Sequence, residues 1–370
     1  MITPTVTPTV GTEESLVRVG ALVPLTQPGW VAAGGHLLAG LELAVSDVNH
    51  DGGIGGRPLE LLVRDTAADP RRAAAAVEEF TGLGVAAVVG EYHSVAARAA
   101  AARAEALGVP FLCSSAVLDA LTDQPTEWVA RLAPAQSHGW RVYADFLSTR
   151  GHRRVAAAAG QGNYWAAGIR ILREGLASRG GSVVELAVPP LDPAAVSGEL
   201  VESGATALLL LLGYPEPAVS IVKAVRRDPR LAEILIGAPA GQPEFADWAT
   251  ILGGDGAAIP FLRYLPERFS PLGARVAPAL RRRLKEPPSF VAFEGYDTVT
   301  VLADVLRSRG VERTSVVASW PHVAVEGTRG RITFCRAPGI GVWQWAWPPI
   351  QVVDRDPASP ERFRIRYAEP

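Results

Sequence analysis

The sequence predicts an α/β fold made of two similar units, each with a parallel sheet covered by helices. Apolar strands and amphipathic helices alternate from residue 17 to residue 115 in the order βαβαβαβ. The same alternation starts again at residue 154. The chain has 370 residues, 48% of them hydrophobic, so it is long enough for two domains with a core in each.

The first unit contains four predicted strands and three predicted helices. The strands are predicted at 17–25, 58–64, 85–90 and 110–115, and the helices at 35–49, from 69 onward and at 94–107. Asp69 and Pro70 form a typical N-cap and first helical position. The glycine-rich GGIGGR that begins at Gly52 follows a helix and precedes a strand, whereas a dinucleotide site needs the reverse order. We therefore predict a helix–turn–strand connection there.

The second unit repeats this pattern and ends in a different kind of tail. Its strands are predicted at 154–160, 182–188, 205–213 and 233–238, and its helices at 164–179, 193–203 and 217–228. Extended crossovers are predicted at 126–136 and 256–266, with further helices at 271–285 and 289–309. In the β-like tail, Trp343, Trp345 and Trp347 alternate and should share one strand face. We expect them to pack on a lobe rather than to stack on a ligand.

The loops that follow the predicted strands carry the information about function, because ligands of open α/β sheets bind beyond the carboxyl ends of the strands. These loops span 26–30, 90–94, 114–119, 160–165, 213–217 and 238–242. They contain aromatic residues, hydroxyls and glycines, but no carboxylate pair, no nucleophile beside a base and no metal-ligand cluster. This pattern predicts a binding cleft, not an enzyme, with neither cofactor nor metal.

Charge and composition limit the classes of binding partner that the sequence predicts. The net charge of −2 gives no reason to expect nucleic acid or an anionic membrane surface. The uncharged run from Val19 to Leu41 is interrupted by two prolines and five glycines, so membrane insertion is not predicted. Residues 1–16 form a Pro/Thr-rich arm without the features of a signal peptide.

Three segments together resemble a known family. VGALVPLTQPG, LAVSDVNHDGGIGGRPLELLVRDTAADP and VAAVVGEYHS are similar to the leucine/isoleucine/valine-binding type of solute-binding proteins, which have the type I periplasmic binding protein fold. The cytoplasmic amide sensor of an amidase operon is a relative. The resemblance runs from about Val17 to Asp354 and is looser after about residue 240.

The resemblance implies two Rossmann-like three-layer lobes, joined by three crossovers, that close around a small ligand by hinge motion. On that basis, residues 17–132 and 264–322 are assigned to the first lobe, and 133–263 and 323–370 to the second. Residues 1–16 are left as a flexible arm.

The resemblance also implies nine ligand-contacting positions. They are Trp30, Tyr92, His93, Ser94, Ser115, Ala116, Tyr164, Tyr214 and Ala240. Ser94 matches a serine whose hydroxyl meets the polar head of the ligand, and Ser115 and Ala116 match a loop whose backbone binds that head. Tyr164 and Tyr214 match second-lobe tyrosines. His93, Tyr164 and Tyr214 are also compatible with purely structural roles.

Three positions depart from the pattern of the amino-acid binders. Ala240 replaces a glutamate that pairs with the ligand's ammonium, Val117 replaces a threonine, and Gly160 replaces an aspartate. Losing that glutamate would remove a charge-assisted bond of about 1.5–3 kcal/mol. An amide, a urea-like molecule or a small acid therefore fits better than an aliphatic amino acid, unless Glu91 supplies the charge.

Three functions compete on the sequence alone. The leading one is the receptor component of an ABC transporter, located outside the cytoplasm, with a permease as partner and a small molecule as ligand. The second is a cytoplasmic sensor that regulates a partner protein, favoured by the Met1 start and the GEYHS match. The third, an enzyme on the same fold, lacks an acid/base constellation.

Overall fold

The computed structural model describes residues 16–186 and 192–369. Residues 1–15 of the predicted arm and residues 187–188 of a predicted strand lie outside the described residues. The strands are β1 (Val17–Val23), β2 (Leu59–Asp65), β3 (Ala87–Gly90), β4 (Phe111–Cys113), β5 (Val129–Arg131), β6 (Arg154–Ala159), β7 (Ser182–Glu185), β8 (Ala207–Leu211), β9 (Leu235–Gly237), β10 (Phe261–Arg263), β11 (Ala324–Gly327), β12 (Gly330–Cys335), β13 (Trp343–Trp345), β14 (Gln351–Asp356) and β15 (Ser359–Ala368). The helices are α1 (Val31–His50), α2 (Pro70–Gly82), α3 (Ser94–Leu107), α4 (Gln136–Thr149), α5 (Asn163–Ala177), α6 (Pro193–Ser203), α7 (Ala218–Arg227), α8 (Ala246–Leu252), α9 (Pro271–Leu284), α10 (Phe290–Arg309) and α11 (Arg313–Val317).

The first lobe is built on an eight-stranded sheet in the order β11-β12-β13-β5-β4-β3-β1-β2. From β13 to β2 every pairing is parallel, while β11 and β12 add an antiparallel edge. Helices α1 and α10 pack on one face, and α2 and α3 on the other. The central strands β3 and β4 are apolar and buried throughout because both faces of the sheet are covered there, as is usual for parallel sheets.

The second lobe has a parallel sheet in the order β7-β6-β8-β9 and a small antiparallel sheet in the order β10-β14-β15. The order β7-β6-β8-β9 repeats the order β2-β1-β3-β4 of the first lobe, which confirms the prediction of two similar units. The two units therefore present their strand-end loops in the same way, and these loops face one another across a cleft.

The assignment of residues 323–370 to the second lobe is wrong for its first half. Strand β13 pairs with β5 in parallel, and β12 pairs with β13, so residues 324–345 extend the first sheet. Only β14 and β15 join the second lobe. The β-like tail pattern predicts strands but does not indicate which sheet edge they complete, because pairing partners lie hundreds of residues away.

Three chain segments connect the lobes, as the resemblance implied. They run between β5 and α4, between β10 and α9, and between β13 and β14. The first, 132–135, lies within the predicted 126–136. The second, 264–270, overlaps the predicted 256–266 only at the last three residues of that range, and the third lies at 346–350 rather than near 323. Of the tail tryptophans, Trp345 is buried and Trp343 is half-buried, while Trp347 lies outside β13 and is exposed, so the expected common face holds for two of the three.

The glycine-rich segment connects α1 to β2, as predicted. Gly53 has φ 70°, and a Cβ there would lie 2.2 Å from the carbonyl oxygen of Arg57, so only glycine fits this turn. Within the described residues, α1 is long and apolar enough, by length and composition, to cross a membrane. Its buried face, which includes Leu37 and Leu41, packs instead against the first lobe's own core.

Candidate functional site

A cavity of about 330 Å³ lies between the lobes, where the strand-end loops of both sheets meet. Eight of the nine predicted positions line it: Trp30, Tyr92, His93, Ser94, Ser115, Tyr164, Tyr214 and Ala240. Ala116 is buried beside the cavity and is not among the lining residues. Val117, singled out as a departure from the family pattern, does line it.

The first-lobe wall is formed by the loop between β3 and α3 together with the residue before α1. The backbone N–H of Trp30 donates to Nε2 of His93 at 2.9 Å. Burial lowers the pKa of His93 to about 4, so the imidazole is neutral at physiological pH. Because Nε2 accepts a hydrogen bond, the proton of the neutral ring resides on Nδ1.

A polar corner lies at the N-terminus of α3. Ser94 begins this helix, and its Oγ accepts a hydrogen bond from the backbone N–H of Leu118 at 3.3 Å. The Ser94 hydroxyl proton remains free to donate, and the first N–H groups of a helix favour an electronegative group. Ser115, on the loop after β4, lines the same cavity. This corner suits a carboxylate or a carbonyl head.

Glu91 does not supply a charge to the cavity. The expectation that it could replace the missing glutamate for an amino-acid ligand is therefore wrong. Its Oε2 accepts from the Thr66 hydroxyl at 2.5 Å, and its Oε1 accepts from the backbone N–H groups of Tyr92 and His93 at 2.8 Å each. Glu91 is fully buried and does not line the cavity. Its carboxylate shapes the loop that carries Tyr92 and His93.

The second-lobe wall is aromatic. Tyr164 and Trp165, in the first turn of α5, lie 4.7 Å apart between ring centroids in an edge-on arrangement. Tyr214, in the loop after β8, places its ring 5.3 Å from that of Trp30 on the first lobe. Trp30 also lies 4.8 Å from Phe245 of the second lobe, so the two lobes touch and the cleft is closed.

Sequence reasoning missed several lining residues. Tyr264 lies on the second crossover and Phe290 at the start of α10, and their rings are 5.0 Å apart. Neither position follows a strand of a predicted parallel unit, so the rule used on the loops could not find them. Gln242 and Trp165 also line the cavity, and both fall in or at the end of strand-end loops that the sequence analysis had identified.

The cavity lining carries no formal charge among the described residues. No Asp, Glu, Lys or Arg lines it. Two buried glutamates lie nearby, but Glu244 is bound by Arg263 at 2.8 Å and Glu294 by Arg329 at 3.3 Å. Burial raises the pKa of Glu294 to about 7, against Arg329 and the Ser115 hydroxyl, which lower it.

Comparisons with known proteins agree with this architecture. A family model described as periplasmic binding protein matches residues 16–344. A Leu/Ile/Val-binding protein homolog 7 of Brucella abortus (strain 2308) is 34% identical over 146 residues, which are 39% of this chain and 35% of that protein. The chain thus matches about a third of the length of this curated relative.

Two crystal structures show the same fold at low identity. A leucine binding protein, LivK, from Thermotoga maritima MSB8 has a TM-score of 0.81 and 19% identity over 95% of this chain and 97% of its own. A solute binding protein of an ABC transporter from Rhodopseudomonas palustris BisB5, in complex with 3,4-dihydroxy benzoic acid, has a TM-score of 0.79 and 20% identity over 95% of this chain and 96% of its own. The two-lobed architecture and the family match lead to one assignment: this chain belongs to the periplasmic binding proteins, with the type I fold of the leucine/isoleucine/valine-binding group.

Proposed function

We propose that this chain is the ligand-binding receptor of an ABC-type transporter. It captures a small solute between its lobes by closing about the three crossovers and presents it to a permease. The observation that carries the proposal is the closed cavity, which is lined by loops of both lobes and carries no charge among the described residues. A site made by two lobes binds its ligand only when they meet, so binding and closure are coupled.

The lining supports an amide or an aromatic acid over an aliphatic amino acid. A zwitterion needs a carboxylate for its ammonium, and Ala240 stands where the family has a glutamate. Leaving an ammonium without that partner costs about 1.5–3 kcal/mol, or roughly ten- to a hundredfold in affinity. Aromatic walls such as Tyr92, Tyr164 and Tyr214 bury a flat ligand at little cost in side-chain entropy.

The relatives bind ligands of both kinds. The Thermotoga protein is a leucine binding protein, and the Rhodopseudomonas structure holds a dihydroxylated benzoic acid. The fold is therefore compatible with either class, and the residues of this cavity favour the second.

The experiment is a thermal-shift screen with four groups of compounds: branched-chain amino acids, short amides and ureas, aromatic acids, and sugars. A ligand at a hundred times its Kd stabilises the folded state by about 2.7 kcal/mol, which moves the melting temperature by several degrees. Shifts with amides or aromatic acids support the proposal. Shifts with amino acids alone would refute the argument from Ala240, and the absence of any shift would refute the receptor itself.

A sensor that regulates a partner protein is the second candidate. The observation that favours it is that Tyr92 and Ser94, which match the amide sensor, both line the cavity. Both functions use the same ligand site, so the cellular compartment separates them. Fractionation of native cells, with the protein outside the cytoplasm, favours the receptor. Recovery in the cytoplasm with a bound protein partner favours the sensor.

A further inference from the structure

Three polar atoms of the cavity-lining side chains have no hydrogen-bond partner among the described residues: the hydroxyl of Tyr214, the indole Nε1 of Trp30 and the amide Oε1 of Gln242. The Tyr214 hydroxyl can donate or accept and lies near Asp247, whereas Trp30 Nε1, on the first lobe, and Gln242 Oε1, on the second, each have a single hydrogen-bonding role. Both of these last two atoms are buried. Buried polar groups in native proteins are nearly always paired, and an unpaired one weakens the closed state. Closure of the lobes therefore favours a ligand that forms hydrogen bonds with both Trp30 Nε1 and Gln242 Oε1.

The orientation of the Gln242 amide is fixed by the second lobe. Its Nε2 donates to the carbonyl oxygen of Leu212 at 3.1 Å and approaches that of Leu210 at 3.5 Å. Reversing the amide would place its oxygen against two carbonyl oxygens, so the oxygen is the atom left unpaired. Gln242 thus offers a hydrogen-bond acceptor and cannot offer a donor in its place.

The indole of Trp30 is held equally firmly. Its backbone N–H is bound to His93, and its ring packs against those of Tyr214, at 5.3 Å, and Phe245, at 4.8 Å. An indole N–H donates and never accepts. The cleft therefore has one fixed donor on the first lobe and one fixed acceptor on the second.

We propose that Gln242 and Trp30 determine specificity by selecting a solute with an uncharged group that donates to Gln242 and accepts from Trp30. A phenolic hydroxyl or a carboxamide can do both. This inference rests on the proposed receptor function and deepens it. The group is uncharged because, in the described part of the chain, no Asp, Glu, Lys or Arg lines the cavity and the lining histidine, His93, is neutral. The polar head of the same solute is left to the corner at Ser94 and Ser115.

This selection has a simple consequence for analogues. A branched aliphatic chain would leave both atoms unpaired, and an ether would satisfy Trp30 but leave Gln242 without a donor. Sites built to hydrogen-bond a hydroxyl or amide reject analogues that lack it far more strongly than apolar pockets reject an extra methylene.

Four benzoates that differ only at the para position test the inference by calorimetry. 4-Hydroxybenzoate and 4-carbamoylbenzoate both donate and accept, 4-methoxybenzoate only accepts, and benzoate does neither. We expect at least one of the first two to bind ten- to a hundredfold more tightly than 4-methoxybenzoate. The comparison between those two tells whether the selected group is a hydroxyl or a carboxamide.

Three variants test which residues produce the preference among the four benzoates. Gln242→Met should reduce the preference over 4-methoxybenzoate to about threefold or less, and Trp30→Phe should remove the preference of 4-methoxybenzoate over benzoate. Gln124→Met, at an exposed glutamine of the first lobe that does not line the cavity, should leave both preferences unchanged. Circular dichroism and melting temperature show whether each variant folds. If Gln242→Met is unstable, Gln242→Leu serves in its place, and the wild-type series alone still tests the inference.

The outcomes separate this inference from the receptor function. Equal binding of all four benzoates, or a preference that survives Gln242→Met, overturns the inference. Binding of leucine or isoleucine with no binding of the benzoates also overturns it while the receptor proposal stands. Failure of every compound in both experiments overturns the receptor proposal with it.

Discussion

The carboxylate of Glu244, on the second lobe, accepts a hydrogen bond at 3.1 Å from the backbone N–H of Phe290, on the first lobe. Phe290 opens α10, whose first N–H groups have no partner within the helix. The second lobe therefore caps a helix of the first lobe, and it can do so only while the cleft is closed. Arg263 holds the same carboxylate from the second lobe at 2.8 Å.

Replacing Glu244 with alanine should weaken ligand binding without touching the cavity wall. The closed form loses an interlobe hydrogen bond to a charged group, worth about 2 kcal/mol, so affinity should fall by roughly ten- to thirtyfold. Calorimetry measures the affinity, and small-angle scattering measures whether ligand still compacts the protein. Glu233→Ala, an exposed glutamate of the same lobe, is the control. Unchanged affinity in Glu244→Ala would show that this contact does not stabilise closure.

Ser94→Ala should lower affinity by about tenfold, because one hydrogen bond to the ligand head is lost. The backbone N–H of Leu118 also loses its acceptor, so unfolding free energy should fall by about 1 kcal/mol and no more. Ser308→Ala, at an exposed serine of α10, provides the control for the loss of a hydroxyl. Wild-type affinity in Ser94→Ala would show that the head group of the ligand does not bind at this corner.

Tyr214→Ala should reduce affinity more than Tyr214→Phe, since the ring rather than the hydroxyl packs 5.3 Å from Trp30 across the cleft. An aromatic pair contributes about 0.5–1.5 kcal/mol beyond its buried area, so the alanine variant should bind at least tenfold more weakly. Titration calorimetry on both variants gives the difference. If both bind as the wild type does, Tyr214 only covers the end of β8.

The free energy of unfolding should fall as the pH rises, because Glu294 loses its proton. Burial raises the pKa of this carboxyl from 4.5 to about 7, although Arg329 and Ser115 lower it, and Asp297 raises it further. The folded state therefore holds a proton that the unfolded state releases between pH 4.5 and 7. Stability from this group is full below pH 4.5 and is lost as the pH rises to 7, by about 3 kcal/mol at most.

Glu294→Gln removes this loss and should flatten or reverse the pH dependence of the unfolding free energy over that range. Denaturant unfolding at half-unit steps of pH measures it. Asp304→Asn, an exposed residue on the same helix, should behave as the wild type does. An unchanged pH profile in Glu294→Gln would place the titration elsewhere.

His93 should act in the opposite direction. Its pKa is lowered from 6.5 to about 4 by burial, so between those values the unfolded state binds the extra proton. Stability from this group is full above pH 6.5 and is lost as the pH falls towards 4. His93→Gln should therefore lose less stability on acidification than the wild type, whereas His322→Gln, at an exposed histidine, should match the wild type. Equal acid sensitivity in His93→Gln would mean that the ring is not excluded from water.

The sequence predicted best the elements that form from residues close to one another along the chain. Helices such as α3 and strands such as β3 follow from short apolar patterns and turn residues. The rule that ligands meet strand ends selected the loops that carry Tyr92, Ser94 and Tyr164, and these three residues line the cavity. It was least informative where distant segments meet. The pairing of β13 with β5 places residues 324–345 in the first lobe, and no local pattern in the sequence predicts that pairing.

The same limit applies to the cavity. Tyr264 and Phe290 line it from a crossover and from the start of α10, both outside the predicted strand-end loops, and the fixed orientation of the Gln242 amide depends on the carbonyl of Leu212. Glu91 resembled a ligand partner in the sequence because it sits in the best-matched loop. In the structure its carboxylate is used by Thr66 and by the loop's own N–H groups.

The edge strands of the two lobes offer a way to observe closure directly. Because β2 is an outer strand of the first lobe and β15 an outer strand of the second, a fluorophore on each would change separation when the cleft opens. Cys113 is buried and Cys335 only half-buried, so replacing Cys335 would leave introduced cysteines as the reactive positions for dyes. Energy transfer between such dyes would turn this protein into an optical reporter of its own solute.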